Sequence, residues 1–385
     1  MSTVSPSGFR AAGVAAGIKS SGAADLAVVI NDGPSAAAAG VFTSNRVRAA
    51  PVQWSQQVLA GGQVRAVVLN SGGANACTGP AGYADTVRTA GHLAGLLGVP
   101  AGEIAVCSTG LIGQRLPMPA LLAGVEEAVA AASAVAESAA AAARAIMTTD
   151  TVPKSCQLAG AGYQVGGMAK GSAMLAPALA TMLVVLTTDA DVAPGDLDAA
   201  LGSAVRATFD RLDTDGCMST NDSVLLLASG ASAVRPELAE FSATLTAACD
   251  DLARQLMLDA EGASKAISIE VTGAASEDDA VCTGRAVARS NLFKCAIAGE
   301  DPNWGRVLAA IGTTSAAFEP GRLSVAINGV LVCKDGAPEA DRSLVDLRPR
   351  DVRVTVDLAA GPATATIRTT DLTAAYVHEN SAYST

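Results

Sequence analysis

Three short runs, Asp25 to Ile30, Arg65 to Leu69 and Ile104 to Ser108, are apolar almost throughout and stand between glycine-rich turns. Runs of that length read as strands, and the missing alternation of apolar and polar residues means that both faces are buried. Sheets covered on both sides need helices or a second sheet over them, so the chain folds in stacked layers. Helices are available. Leu121 to Met147 is alanine-rich, carries Glu126, Glu127, Glu137 and Arg144, and has no Pro or Gly after Gly124, which predicts a long helix or a helical pair. Leu245, Ala248, Leu252 and Leu256 recur at helical spacing, predicting a helix from Leu245 to about Ala260 that Gly262 stops. A strand from Ile267 to Val271 follows. Leu323 to Ile327 and Val330 to Cys333 flank Asn328-Gly329, a strong short-range hairpin signal, and a second hairpin is predicted from Val352 to Ile367. Helices and strands mix without a strict βαβ repeat, and no G-x-G-x-x-G follows a strand, so a dinucleotide site is not supported. The class is α/β or α+β with stacked layers.

Composition narrows the function. Of 385 residues, half are apolar, enough for a large core and for two or three domains. No window of eighteen apolar residues is free of charge, Gly or Pro. The longest candidate, Met174 to Leu186, is broken by Pro177 and reads as core. The first residues lack the basic start and apolar stretch of a secretory signal, so a cytoplasmic location is expected. Eight cysteines, at positions 77, 107, 156, 217, 249, 282, 295 and 333, contain no C-x-x-C pair, which suits neither a zinc cage nor a disulfide scaffold; reduced, mostly buried thiols are expected. A net charge of −11 and the absence of a basic block disfavour nucleic acid as a partner. His92 and His378 are the only histidines, so any hydrolytic or acyl-transfer chemistry needs another base.

The most unusual stretch is Gly166 to Leu183, where two glycines, Lys170, Gly171 and Ser172 lead into an apolar run containing Ala180-Thr181-Met182. Taken alone, a threonine at the start of such a run is most often a β-former at a strand edge. The pattern Lys-Gly-Ser-x-Met-x-x-Pro-x-x-Ala-Thr-Met-Leu, however, is similar to the cleavage-site motif of the ornithine acetyltransferase family. Similar blocks run in order along the chain: Gly17-Ile18-Lys19, Asn70 to Gly79, Ser108 to Gly113, Met147 to Thr151, Ser219 to Asp222, Asp259 to Lys265, Asp301 to Arg306 and Glu379 to Thr385. Ala173 and Ala178 depart from the Gly and Asn more usual there. The extra methyl at Ala173 bears on the rate of self-cleavage, not on its position.

The resemblance implies an α-β-β-α-type sandwich with a second, smaller C-terminal α+β domain at roughly residues 240–350. It also implies self-cleavage between Ala180 and Thr181, giving fragments 1–180 and 181–385. Thr181 would then be both the nucleophile and, through its freed α-amino group, the base, which answers the shortage of histidine. An unperturbed α-amino group titrates at about 7.7 to 8.0, near enough to neutrality to take the hydroxyl proton. Thr109 and Gly110 match the family's oxyanion hole. Lys170 suits a substrate carboxylate and Glu261 an ornithine ammonium, and Thr148, Thr181, Asn380 and Thr385 join them in the substrate site by the same match. If Thr385 lines the site, the tail must be docked rather than frayed. Asp301 to Arg306, with one of the two tryptophans, suits either ligand stacking or a structural turn.

The activity implied is transfer of acetyl from N2-acetylornithine to glutamate with ping-pong kinetics, without a metal or cofactor. Some family members also take acetyl-coenzyme A as a co-substrate, and the one-donor and two-donor forms stay open, as does a secondary-metabolite paralogue. Two copies of each fragment are the family assembly. Two rivals remain at this point: a self-processing aminopeptidase or amidase of similar fold, in which water accepts the acyl group, and a non-catalytic amino-acid-binding relative that never cleaves.

Overall fold

The structure is a computed structural model that describes residues 2–174 and 182–382. Ala180, Thr181 and Thr385 lie outside the described residues.

Two sheets form the larger part. One has the order β1 (Phe9–Val14), β2 (Leu26–Asn31), β4 (Ala66–Gly73), β5 (Ile104–Leu111); the other has the order β3 (Ala38–Phe42), β9 (Ser223–Ala228), β8 (Leu183–Thr188), β7 (Gln164–Lys170), β6 (Lys154–Ala159). Their facing sides share one core: Ala27, Val29, Val67 and Leu69 from the first sheet pack with Met168, Val185, Leu225 and Leu227 from the second. Two helices join this middle layer, α1 (Ala50–Leu59) through Val58 and α4 (Ala136–Ala145) through Ala139, Ala142 and Ala143. The outer face of the first sheet is covered by α2 (Gly79–Leu97) and α3 (Met118–Ala131), and that of the second by α5 (Pro194–Ala207) and α6 (Leu238–Leu258). The result is the α-β-β-α sandwich expected, and it explains the unbroken apolar strands. Every residue of β2, β8 and β9 is buried. Each fully buried Val, Leu or Ile contributes about 1.5–3 kcal/mol relative to exposure.

A second core is built on a six-stranded sheet of order β13 (Ala337–Pro338), β12 (Val330–Lys334), β11 (Ser324–Ile327), β14 (Asp351–Asp357), β10 (Ala266–Ala274), β15 (Ala363–Thr370). It is covered by α7 (Glu277–Ala288), α8 (Asn291–Ala298) and α9 (Trp304–Ile311). Its buried residues run from Ile267 to Ile367, whereas Phe241, Leu245 and Leu252 of α6 belong to the sandwich, so this core starts and ends later than the roughly 240–350 expected.

Several locally encoded elements form as their residues dictate. Asn328 (φ 45°) and Gly329 (φ 83°) take the left-handed pair of conformations of a two-residue hairpin between β11 and β12. The alanine-rich stretch is a helical pair, α3 and α4. No breaker residue parts them; Ser133 exchanges backbone hydrogen bonds with Ala11 of β1 at 3.0 and 3.1 Å, and that pairing interrupts the helix. The helix α6 starts at Leu238, seven residues before the periodic leucines. The hairpin expected from Val352 to Ile367 is not formed. Its two strands exist, but β10 lies between them, parallel to β14 and antiparallel to β15. Strand β10 pairs on both edges, and the connection at Leu358 to Gly361 hydrogen-bonds to Thr272 and Gly273 instead of forming a tight turn. The thiols are also less buried than expected: all eight are free, and Cys77, Cys217, Cys282 and Cys295 are exposed.

Among the described residues no helix is long and apolar enough to cross a membrane, and no group of three potential ligands suits a metal ion.

Candidate active site

Thr109 and Gly110 lie in the last turn of pleat of β5, which continues to Leu111 rather than ending at Ser108. Strand β5 runs parallel to β4 with Ser71 opposite Thr109 and Gly72 opposite Gly110, and a register shift follows at Gly73. Gly110 has φ 125°, and a Cβ there would stand 2.6 Å from both the Gly72 carbonyl carbon and the Gly73 nitrogen. Only glycine allows this approach. Asn221 braces the same place: its amide donates to the Ala74 carbonyl at 2.6 Å and to the Ser108 carbonyl at 2.8 Å.

Lys170 closes β7 and is 1% exposed. Its Nζ donates to Thr109 Oγ1 at 3.4 Å and lies 4.0 Å from Asp150 Oδ2. Burial holds the ammonium below the ordinary lysine range, with Asp150 opposing that shift. A lysine in this setting is not the solvated loop residue that its type alone suggests.

Asp150 organises this side of the site. Its carboxylate accepts the Thr148 N–H at 3.0 Å, the Gly171 N–H at 2.6 Å and Lys154 Nζ at 2.7 Å. Burial alone would raise its pKa, but Lys170, Lys154 and the Gly171 N–H together prevail and hold it below the usual carboxylate range. Lys154, fully buried, also donates to Asp259 at 2.6 Å, and Asp259 ends α6 two residues before Glu261. Glu261 is fixed by its own backbone, which donates to the Ser172 carbonyl at 2.9 Å, and its carboxylate accepts the Asn380 amide at 3.0 Å. Asn380 stands on α10 (Ala374–Ala382), so the tail is docked as a helix as far as it is described.

These pieces meet in one cavity of about 100 Å³, whose lining includes Thr109, Gly110, Thr148, Lys170, Glu261 and Asn380. All six predicted site residues that lie among the described ones are therefore neighbours, although they are spread from position 109 to 380. A wider groove of about 1110 Å³ runs along α1 and the start of α2, lined by Arg46, Arg48 and Tyr83, and contains none of them. Size does not identify the site; convergence of chemically matched groups does. Asp301 to Arg306 is a structural turn: Asn303 caps α9 by accepting the Arg306 N–H, and Trp304 packs on the second core.

Sequence reasoning missed Asp150 and Asp222 as individual residues, although both fall inside the blocks Met147 to Thr151 and Ser219 to Asp222. Their signals were their charge and their place in those blocks. Asp222 is fully buried and accepts the Met182 N–H at 3.0 Å.

The cavity joins an electropositive group, an acidic group and a pair of residues at the end of β5. Such a site can hold a zwitterionic amino acid beside Thr109 and Gly110.

Comparison with known proteins identifies the family. The chain is 67% identical over 385 residues to the arginine biosynthesis bifunctional protein ArgJ of Thermobifida fusca, covering 100% of both chains. It is 65% identical to the protein of the same name from Streptomyces avermitilis, again over 100% of both. Among solved structures, the ornithine acetyltransferase of Mycobacterium tuberculosis complexed with ornithine is 57% identical, with a TM-score of 0.43 over 46% of this chain and 94% of that one. The ArgJ family model matches residues 10–385. With that match over nearly its whole length, the chain belongs to the ArgJ family.

Proposed function

We propose that this acetyltransferase of arginine biosynthesis moves an acetyl group from N2-acetylornithine to glutamate through an acetyl ester on Thr181. The observation that carries the reading is the convergence of Thr109, Gly110, Thr148, Lys170, Glu261 and Asn380 on one cavity, which Met174 also lines.

The precursor first cuts itself. Thr181 Oγ attacks the Ala180 carbonyl, the peptide becomes an ester, and water releases fragments 1–180 and 181–385. The freed α-amine then accepts the Thr181 hydroxyl proton as the hydroxyl attacks the acetyl carbonyl of acetylornithine, and returns the proton to the departing ornithine nitrogen. Thr109 and Gly110 stabilise the oxyanion of each tetrahedral intermediate. Lys170 binds the substrate α-carboxylate, Glu261 faces the ornithine ammonium with the Asn380 amide fixing its carboxylate, and Thr148 and Thr385 complete the site. Glutamate then attacks the ester, so the kinetics are ping-pong. No metal or cofactor takes part. The relatives' shared name speaks of a bifunctional protein, and we carry that to this chain as a second acyl donor, acetyl-coenzyme A. Two copies of each fragment form the assembly, and the enzyme is cytoplasmic.

The test is intact mass of the denatured protein with N-terminal sequencing, followed by an acetyl-transfer assay. Two fragments, one beginning Thr-Met-Leu-Val, and glutamate-dependent turnover are expected. A single uncut chain, or release of acetate to water at the same rate without glutamate, would sink the proposal. Thr181→Ala is expected to abolish both cleavage and transfer.

A further inference from the structure

The loop that leads from Leu212 into β9 supplies a carboxylate to the chain on each side of residues 175–181. Upstream, Asp215 Oδ2 accepts the Met174 N–H at 2.7 Å, where Met174 has the left-handed φ of 53° that a non-glycine residue rarely adopts. Downstream, Asp222 Oδ1 accepts the Met182 N–H at 3.0 Å. That nitrogen is bonded to the carbonyl carbon of Thr181, so the Cα of Thr181 is two covalent bonds from an atom that Asp222 holds.

Asp222 is itself rigidly placed. It is fully buried, its carbonyl accepts the Thr43 N–H at 3.0 Å, and the next residue, Ser223, donates its N–H to the Met182 carbonyl at 3.2 Å. Its second oxygen, Oδ2, has no hydrogen bond of ordinary geometry among the described residues. Burial pushes the carboxyl well above its usual range, while the Met182 N–H, the nearby Ser219 and Thr43 hydroxyls and the Lys170 charge favour ionisation without prevailing. A carboxyl here is costly as packing and useful as an acceptor for one particular peptide.

We propose that Asp222 is the positioning residue of the Thr181 nucleophile: by holding the Met182 N–H through one carboxyl oxygen, it fixes the chain directly after Thr181. No bond is made or broken at Asp222. The inference rests on Thr181 being the nucleophile. It assigns to Asp222 an effect on rate and not on substrate binding, which belongs to Lys170 and Glu261.

The experiment uses full-length precursors, parental, Asp222→Asn and Asp222→Ala, with the appearance of fragments followed by intact mass and kcat and KM measured on cut material. An amide oxygen still accepts the Met182 N–H, so Asn is expected to cleave within about threefold of the parental rate. The Ala chain is expected to cleave at least about tenfold more slowly and, once cut, to lose kcat by a similar factor with the KM for acetylornithine within about twofold, as misplacement of a reacting group predicts. Parental cleavage by the Ala chain, a raised KM with kcat intact, or tenfold slower cleavage by the Asn chain would each overturn the proposal. If the Ala chain does not fold, the Asn chain decides. An uncut parental chain is a separate outcome, because it removes the Thr181 reading itself.

Discussion

Replacing Gly110 by alanine places a methyl group 2.6 Å from two backbone atoms of the neighbouring strand, where ordinary contact begins at 3.4 Å. Strands β4 and β5 must part by about 0.8 Å there to accept it. The atoms that resist are backbone, so no side-chain rotation relieves the clash. The φ of 125° adds a backbone strain of about 1–3 kcal/mol for any residue with a Cβ. On the reading that Thr109 and Gly110 face the oxyanion, a displacement near 1 Å costs about 10²-fold, and outright loss of one donor about 10²- to 10³-fold. Gly110→Ala is therefore expected to slow both self-cleavage and acetyl transfer by about 10²-fold or more, with KM changed far less than kcat. The assays are fragment appearance on a denaturing gel and transfer of labelled acetyl to glutamate. Gly113→Ala is the control: its φ is also positive, at 83°, but nothing lies within 4 Å of its added Cβ. It should lose about 1 kcal/mol of stability and retain the chemistry. A Gly110→Ala enzyme that cleaves and transfers within threefold of the parental rate would refute the placement of the oxyanion hole.

Three further outcomes follow from the charges around the cavity. Lys170→Ala should raise KM for acetylornithine by about 10- to 100-fold, the worth of a hydrogen bond to a charged group, while the fold persists because Asp150 keeps Lys154; unchanged kinetics would remove Lys170 from the site. Because binding a carboxylate needs the protonated ammonium, and burial lowers the pKa of Lys170, KM should climb with pH below the ordinary lysine value near 10.4, and the Ala variant should lack that rise. Asp150→Asn removes a carboxylate from two buried ammonium groups, of which Lys154 keeps Asp259, and should destabilise the protein by about 3 kcal/mol at pH 7 in denaturant unfolding. Since the folded pKa of Asp150 lies below its unfolded value of about 3.9, its contribution is present above that pH and fades as pH falls through the folded value; the deficit of the variant should shrink in acid, and a deficit constant from pH 7 to pH 3 would contradict the pairing.

The failures of sequence reading have a common cause. The helical break between α3 and α4 comes from Ser133 pairing with Ala11, more than a hundred residues away, and no local residue signals it. The missing hairpin has the same origin, since the strands at Asp351–Asp357 and Ala363–Thr370 are adjacent in sequence yet both pair with β10. Asp150 lies in a motif block, but nothing near it in sequence shows what it holds. Its importance lies in gathering Lys154, Lys170 and the backbone of Thr148 and Gly171, which come from different turns of the chain.

By itself the sequence determined what depends on neighbours a few residues apart: buried strands from unbroken apolar runs, the turn at Asn328-Gly329, the helical faces, and the motif blocks that carry the family resemblance. Tertiary structure alone decided which strands lie side by side, why Gly110 must lack a side chain, and how Thr109, Thr148, Lys170, Glu261 and Asn380 come to share about 100 Å³. Backbone preference and turn chemistry act within about four residues, whereas sheet order and the compensation of buried charge are settled only by groups that the whole fold brings together.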